Sequence, residues 1–199
     1  MLVASFLRGL LLSSLIQQAH ALTPFLTSPP SHAPQFPFLS LLISGGHTLL
    51  LLATSPTNFR ILSTTADESI GRAFDKVSRM LELKWSDRGP GAALEQFCAD
   101  GNDDLGTKIT LPRPMSSQLT FSYSGLHSSV ERYISSRGGC QNLDVPTRRA
   151  LASAFQTAAV AQLEEKVVLG LSWCAKNGMK VRHVVVSGGV ASNAFLRDR

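Results

Sequence analysis

Two Ser-Gly-Gly segments, each at the end of a hydrophobic run, constrain the fold of this chain more than any other feature. Ser44-Gly45-Gly46 follows Leu39–Ile43, and Ser187-Gly188-Gly189 follows Val181–Val186. Short apolar runs that end in glycine are typical of buried strands. Glycine lets the backbone turn sharply, and the exposed N–H groups of such a turn can bind phosphate. One such loop usually only reverses the chain. Two in one chain make a ligand site at the two strand ends as plausible an interpretation as two simple turns.

The pattern between these loops predicts helices that alternate with strands, which is typical of an α/β domain. A second apolar run, Leu49–Ala53, predicts a strand that forms a tight hairpin with Leu39–Ile43. Apolar residues at three- and four-residue spacing predict the helices. These helices are expected at Asp67–Leu83, Ala92–Ala99, Leu126–Ile134 and Thr147–Asn177, and a further helix begins at Ala191.

The composition of the 199 residues is that of a packed globular protein. Hydrophobic residues make up 44% and charged residues 17%, which excludes wholesale disorder and a coiled coil. The net charge of +5 permits a polyanionic partner such as RNA. Cys98, Cys140 and Cys174 form no C-x-x-C pair, so we expect neither a disulfide scaffold nor a cysteine zinc site, and a reducing compartment fits best.

The first 35 residues differ in character from the rest of the chain. Residues 1–66 contain two arginines and no acidic residue, and Leu10–Ile16 is an apolar run too short to span a bilayer. A secretory signal and a mitochondrial targeting segment are both open alternatives. Residues 23–37 contain five prolines and predict a loop or linker. We expect a targeting-like or irregular segment at residues 1–35 and one folded domain at residues 36–199.

A histidine and two aspartates are the polar residues that could carry chemistry near the first loop. His47 directly follows that loop, and Asp67 and Asp75 are eight residues apart. On a helix this spacing places the two carboxylates about 80° apart, on one broad face. The alternatives are a structural histidine, a helix cap at Asp67 and an exposed ion pair at Asp75. The remaining histidines have no spacing from which a metal site can be derived.

Four ordered segments resemble one known family. They are F-P-F-L-S-L-L-I-S-G-G-H-T (Phe36–Thr48), D-E-S-I-G-R-A-F-D-K-V-S-R-M-L (Asp67–Leu81), F-S-Y-S-G-L-H (Phe121–His127) and V-V-V-S-G-G-V-A-S-N-A-F-L-R (Val184–Arg197). In this order they are similar to the tRNA adenosine threonylcarbamoyltransferase family, and more to its mitochondrial and bacterial branches than to its cytosolic one. The resemblance covers about residues 36–199.

The resemblance implies a fold and a reaction. The fold is a partial actin-like ATPase fold, the type of sugar kinases and Hsp70, in which two α/β lobes enclose a nucleotide. The reaction transfers the threonylcarbamoyl group from threonylcarbamoyl-adenylate to N6 of the adenosine next to the anticodon in tRNA. AMP is a good leaving group, so positioning and electrostatic stabilisation should matter more than a protein nucleophile. The residues implied to bind substrate are Leu42, Ile43, Ser44, Gly45, Gly46, Asp75, Gly91 and Asn193, and those implied to be catalytic are His47 and Asp67.

The resemblance also implies one divalent metal ion, iron or zinc. The family binds it through an H-x-x-x-H pair and the aspartate of a D-N-G segment. His20 matches the second histidine, Ile16 stands where the first is expected, and this sequence has no D-N-G segment. Because an aliphatic side chain cannot bind a metal, we expect the chain to be active only if a longer form or a partner completes the site.

These departures leave other interpretations open. One is a truncated, non-catalytic paralogue that binds a nucleotide or a family partner. Another is a metallopeptidase, which is disfavoured because the sequence has no H-E-x-x-H arrangement. The expected partners are tRNA, threonylcarbamoyl-adenylate and either a second copy or family partner proteins, with no membrane. The expected location is the mitochondrion, with the cytoplasm as the alternative.

Overall fold

The computed structural model describes residues 18–101 and 109–199, which form a mixed β-sheet flanked by helices. The strands are β1 (Phe38–Ile43), β2 (Thr48–Ser55), β3 (Asn58–Thr64) and β4 (Val184–Ser187). The helices are α1 (residues 18–27), α2 (Ile70–Met80), α3 (Pro90–Ala99), α4 (Ser124–Ser135), α5 (Val145–Lys176) and α6 (Ala194–Arg197). This mixture of strands and helices confirms the predicted α/β class.

The sheet has the strand order β3-β2-β1-β4. β1 and β2 form the predicted antiparallel hairpin, in which Ile43 lies opposite Thr48. β4 is parallel to β1, and Leu42 lies opposite Ser187. Parallel neighbours have their carboxyl ends at the same edge of a sheet. The two Ser-Gly-Gly loops, which follow β1 and β4, therefore lie side by side at that edge.

A single core holds α2 and α5 against one face of the sheet. Gly170 of α5 lies so close to β2 that a Cβ atom there would be 2.6 Å from a methyl carbon of Leu50. Phe74 of α2 packs edge-on against Phe155 of α5, with 5.2 Å between ring centroids. Fully burying one such side chain contributes about 1.5–3 kcal/mol. The helix that follows β3 is therefore fixed relative to the sheet edge that carries the loops.

The start of α2 differs from the prediction. The helix begins at Ile70, because the extended residue Ser69 caps it and accepts a hydrogen bond from the Arg72 amide at 3.4 Å. A serine hydroxyl at this position satisfies an N–H group that has no partner within the helix. Asp67 lies outside the helix, so the prediction that Asp67 and Asp75 share a helix face is wrong.

Two strands also differ from the prediction. The apolar pattern does not predict β3, because exposed residues and the arginine Arg60 interrupt it. β4 is predicted as a buried strand from Val181, but it begins at Val184 and alternates between buried and exposed residues. Val184 and Val186 are 41% and 46% exposed. The cause is position: β4 is an edge of the four-stranded sheet.

The N-terminal part of the described chain is more regular than expected. Residues 18–27 are helical, so the loop predicted at residues 23–37 begins only after residue 27. Ala21 of α1 is fully buried. The apolar run Leu10–Ile16 lies outside the described residues, and the domain boundary at residue 36 stays a prediction. Among the helices that the structure describes, none is long and apolar enough to cross a membrane.

Candidate functional site

The loop after β1, Ser44–Gly46, is called the first corner. The Ser44 hydroxyl accepts hydrogen bonds from the amides of Gly46 at 3.2 Å and His47 at 3.0 Å. The Ser44 amide donates to the carbonyl of His47 at 2.8 Å. These bonds close the hairpin and leave the Gly45 amide without an acceptor within the described chain. A free N–H group at a strand end is suited to bind an anion.

The start of α2 fixes the first corner from the other side. The Ser69 hydroxyl donates to the Gly45 carbonyl at 2.7 Å, and the Ile70 amide donates to the Thr48 hydroxyl at 2.9 Å. Gly71 lies so close that a Cβ atom there would be 2.7 Å from the Ser44 carbonyl oxygen. The sequence motifs give Gly71 no role, although a glycine inside a predicted helix often marks a close backbone approach.

The loop after β4, Ser187–Gly189, is called the second corner. Gly188 has a φ of +97°, and a Cβ atom there would be 2.3 Å from the carbonyl oxygen of Ile43. Only glycine adopts this backbone freely. The chain continues through a 3-10 turn, Gly189–Ser192, before α6 begins at Ala194. The helix predicted to begin at Ala191 therefore starts three residues later.

A cavity of about 370 Å³ lies between the two corners and the start of α3. Four of the predicted substrate-binding residues meet there, together with several residues that the sequence did not indicate. The lining residues are Gly45, Gly71, Phe74, Asp75, Arg88, Gly91, Ala92, Glu95, Gly189, Val190, Ser192 and Asn193. We call this cavity the cleft. Its position outside the carboxyl ends of parallel strands is where open α/β sheets usually bind ligands.

Three polar contacts shape the walls of the cleft. One Asp75 carboxylate oxygen accepts the Gly91 amide at 3.0 Å, which links α2 to the start of α3. The Asn193 side chain caps α6 by accepting the Leu196 amide at 2.9 Å. Glu95 of α3 accepts the Ala194 amide at 2.6 Å and so connects α3 to the chain after the second corner. Asp75 retains a second carboxylate oxygen for a ligand, such as a ribose hydroxyl.

Other predicted substrate-binding residues do not line the cleft. Leu42 and Ile43 are 1% and 0% exposed within β1, and the Ser44 hydroxyl is used inside the first corner. Gly46 and His47 belong to the same turn but do not line the cleft either. These residues support the first corner, and their proposed contact with substrate remains a prediction.

Asp67 accepts six hydrogen bonds and does not line the cleft. The donors are the hydroxyls of Thr65, Ser122 and Ser124 and the amides of Glu68, Tyr123 and Ser124. Partial burial by itself would raise the pKa of this carboxyl. The hydrogen bonds from Ser122, Ser124, Tyr123 and Glu68 outweigh it and hold the pKa well below its usual value. Asp67 thus ties the loop before α2 to the start of α4.

Glu68, the next residue, strengthens the same connection. Its carboxylate pairs with Lys76 of α2 at 2.6 Å and with the Nδ1 atom of His127 on α4. The Glu68 side chain is 10% exposed and the His127 side chain 13%. Pairs of this burial are better shielded from solvent than surface ion pairs. The sequence motif contains His127 but indicates no partner for it, because 59 residues separate it from Glu68.

The described residues do not fit a metal ion. His20 lies on α1, and no group of three or more His, Cys, Asp or Glu side chains that could hold a metal occurs in residues 18–101 and 109–199. A single imidazole is a weak site for a divalent ion. The prediction of a metal at His20 therefore gains no support from the neighbouring side chains.

Fold and site together define an α/β protein with a ligand cleft at the carboxyl ends of two parallel strands. The profile of the tRNA N6-adenosine threonylcarbamoyltransferase family matches residues 14–199. The chain belongs to this family, and its fold is accordingly part of the actin-like ATPase fold that the sequence motifs implied.

Individual relatives agree with this assignment. The chain is 37% identical over 190 residues to a probable mitochondrial tRNA N6-adenosine threonylcarbamoyltransferase of Arabidopsis thaliana, covering 92% of this chain and 38% of the relative. It is 37% identical to the tRNA N6-adenosine threonylcarbamoyltransferase of Thiobacillus denitrificans, covering 92% of this chain and 48% of that protein. The chain thus spans half the length or less of these relatives.

Among solved structures, the chain is similar to component A of (R)-2-hydroxyglutaryl-CoA dehydratase from Acidaminococcus fermentans. The TM-score is 0.49 and the sequence identity 18%, and the similarity covers 91% of this chain and 55% of that one.

Proposed function

We propose that this chain takes part in tRNA modification by holding threonylcarbamoyl-adenylate in the cleft for transfer to tRNA. The observation that carries the proposal is the meeting of Gly45, Gly189, Asp75, Gly91 and Asn193 around one cavity. Sequence motifs alone implicate four of these five positions in substrate binding. Family membership supplies the identity of the substrate.

The chemistry of the cleft suits an adenylate. The amides of Gly45 and Gly189 have no acceptor within the described chain, so they can donate to phosphate oxygens. Arg88 adds a positive charge to the lining, and the free oxygen of Asp75 can accept a ribose hydroxyl. A site of this kind binds AMP through its backbone at one end and through a carboxylate at the other.

The reaction depends little on a protein nucleophile. N6 of adenosine attacks the carbamoyl carbon, the bond from that carbon to the AMP phosphate oxygen breaks, AMP leaves as the phosphate anion, and N6 releases its proton to solvent. Negative charge develops on the leaving phosphate during this step. The two corners would stabilise that charge, because preorganised N–H groups stabilise a transition state electrostatically. The catalytic roles of His47 and Asp67 stay predictions: His47 belongs to the turn of the first corner, and Asp67 fixes the loop before α2. The family's divalent metal is not assigned to any of the described residues.

Nucleotide affinity tests this proposal. In calorimetric titration of the full chain with AMP, Asp75→Ala should weaken binding by about tenfold or more, because a hydrogen bond to a charged acceptor is lost. Asp87→Ala is the matched control, since Asp87 is exposed and does not line the cleft. Equal affinity of Asp75→Ala and the wild type would contradict the assignment of the cleft.

Transfer itself is measured by adding threonylcarbamoyl-adenylate and tRNA and detecting the modified base by mass spectrometry. Formation of the modified base supports the enzyme. Nucleotide binding without transfer favours the non-catalytic alternative, and absence of both overturns the proposal.

We also infer a mitochondrial location. The Arabidopsis relative is named as mitochondrial, and the first 66 residues contain no acidic side chain, a composition typical of mitochondrial transit peptides. A fluorescent protein fused behind residues 1–35 should label mitochondria, and a diffuse cytoplasmic signal would contradict the inference.

A further inference from the structure

A second concave surface lies outside the cleft, between residues 109–112 and helix α4. It has a volume of about 620 Å³. One wall carries Ser129, Arg132 and Tyr133 of α4 and the next two residues after the helix, Ser136 and Arg137. We call it the arginine groove. No acidic side chain lines it among the described residues. The groove shares no lining residue with the cleft.

Both guanidinium groups are held in place by neutral partners. Arg132 donates to the Ser129 hydroxyl at 2.8 Å, and Arg137 donates to the Ser136 hydroxyl at 3.2 Å. Arg137 also stacks on Tyr133, with 3.6 Å from the guanidinium carbon to the ring centroid. Neither arginine pairs with a carboxylate in the described chain. Since a guanidinium has five N–H donors, most of them remain available to a ligand.

The loop beyond residue 112 is held firmly, although its backbone is unfavourable. Met115 and Ser117 have φ values of +52° and +62°. Residues other than glycine rarely adopt such positive φ values. The fully buried Lys166 donates to the Met115 carbonyl at 2.6 Å, and Glu165 accepts the Ser117 amide at 2.8 Å. Strained backbone that its surroundings fix is common at functional sites.

Resting on the proposed function, we propose that the arginine groove binds the phosphodiester backbone of the tRNA substrate. A planar guanidinium binds phosphate through two parallel hydrogen bonds. A threonine hydroxyl also donates to phosphate oxygens, and the exposed Thr110 lines the groove. The described lining of the groove contains no carboxylate and therefore favours a polyanion. The net charge of +5 favours the same partner.

Salt dependence of tRNA binding is the direct test. Fluorescence anisotropy of labelled tRNA with the full chain gives the slope of log K against log salt concentration. The double variant Arg132→Gln/Arg137→Gln should reduce that slope by about 1.4–1.8, because each phosphate contact contributes about 0.7–0.9. The affinity at 0.1 M salt should fall by about tenfold or more. An unchanged slope overturns the proposal.

Two control variants separate charge from structure. Arg132→Lys/Arg137→Lys keeps both charges and should retain most of the slope. Arg60→Gln/Arg79→Gln removes the same charge from two arginines that stack on Trp173 and Trp85 and do not line the groove. It should leave the slope within about 0.3 of the wild type, because no phosphate contact is lost. An equal fall in both glutamine pairs would mean that only net charge matters, and would overturn the groove.

Two further measurements show whether a negative result concerns the groove or the cleft. AMP titration of the glutamine variant reports on the cleft alone: unchanged AMP affinity with weaker tRNA binding supports the groove. Wild-type chain that binds AMP but no tRNA overturns the groove and leaves the cleft standing. Poly-glutamate tests whether the groove binds any polyanion. If it displaces tRNA at equal charge concentration, the proposal that the groove binds RNA is overturned.

Discussion

The two corners share the sequence Ser-Gly-Gly, but the structure supports them in different ways. The first corner is bonded within its own turn by Ser44 and is braced from α2 by Ser69 and by the close contact of Gly71. The second corner begins at Ser187, which pairs with Leu42 in the sheet, and Gly188 lies against the Ile43 carbonyl. The Gly188 carbonyl accepts the Ala191 amide at 3.0 Å, and the bond from the Ala194 amide to Glu95 holds the chain that follows. Identical motifs therefore form one wall of the cleft that is fixed by a helix and one that is fixed by a neighbouring strand.

The strands that lead into the two corners differ in burial. β1 is buried along its whole length, whereas β4 is an edge strand with two exposed valines. Local stability follows the number of buried contacts and protected hydrogen bonds. The first corner is therefore the more preorganised wall of the cleft, and the second is held by fewer contacts. Substitutions at the second corner should therefore have the larger effect per residue.

Gly188→Ala is the variant with the largest expected effect. Alanine would have to adopt a φ of +97°, and its Cβ atom would lie 2.3 Å from the Ile43 carbonyl oxygen. Backbone strain and overpacking together should lower the free energy of unfolding by about 3–4 kcal/mol, measured by urea denaturation. Gly189→Ala is the control. No heavy atom of another element lies within 4 Å of the site that its methyl group would occupy. This variant should therefore change the free energy of unfolding by less than about 0.5 kcal/mol. Equal stability of the two variants would contradict the asymmetry.

Gly71→Ala tests the brace on the first corner and should have a smaller effect. Its Cβ atom would lie 2.7 Å from the Ser44 carbonyl, which costs about 1–3 kcal/mol. Alanine also favours a helix interior by about 1 kcal/mol over glycine. The net loss should therefore be at most about 2 kcal/mol in urea, with weaker AMP binding because the corner is displaced.

Gly125→Ala on α4 is the control for helix propensity. Its Cβ atom would make an ordinary contact at 3.5 Å with Pro114, so it should gain or keep stability. If Gly71→Ala were as stable as Gly125→Ala, the close approach of α2 to the first corner would not be a constraint.

The sequence was sufficient for the features that depend on local pattern. The hairpin around the first corner, the α/β class and the helices from α3 to α5 follow from apolar periodicity and glycine positions, because nearby residues determine them. The resemblance to a family identified Asp75, Gly91 and Asn193, which line the cleft. The ends of helices were less accurate, since capping by Ser69 competes with capping by Asp67 and only the structure decides between them.

The features that the sequence missed depend on distant contacts. Glu95 and Ala194 are 99 residues apart, and Asp67 and Ser122 are 55 residues apart. No local pattern indicates which donor meets a given carboxylate at such a separation. Gly71 was missed for the same reason, because its partner Ser44 lies on another element. The half-exposed β4 could not be predicted because exposure depends on strand order, which apolar content does not fix.

Asp67→Asn should have the smallest effect, and it tests whether the loop before α2 contributes to the rigidity of the first corner. The amide cannot accept every hydrogen bond that the carboxylate accepts, so we expect a loss of about 1 kcal/mol at pH 7. The folded pKa of Asp67 lies below its usual value of 3.8. Its stabilisation is therefore complete above about pH 5 and declines as the pH falls below about 4.

Urea denaturation of the wild type and Asp67→Asn between about pH 7 and about pH 2.5 measures this contribution. The difference between the two proteins should be constant from about pH 7 to about pH 5 and should shrink as the pH falls further, because protonation removes the advantage of the carboxylate. Asp87→Asn is the matched control, since Asp87 is exposed and accepts no hydrogen bond from the described residues. A difference that did not depend on pH would show that the six hydrogen bonds to Asp67 do not favour its charged form.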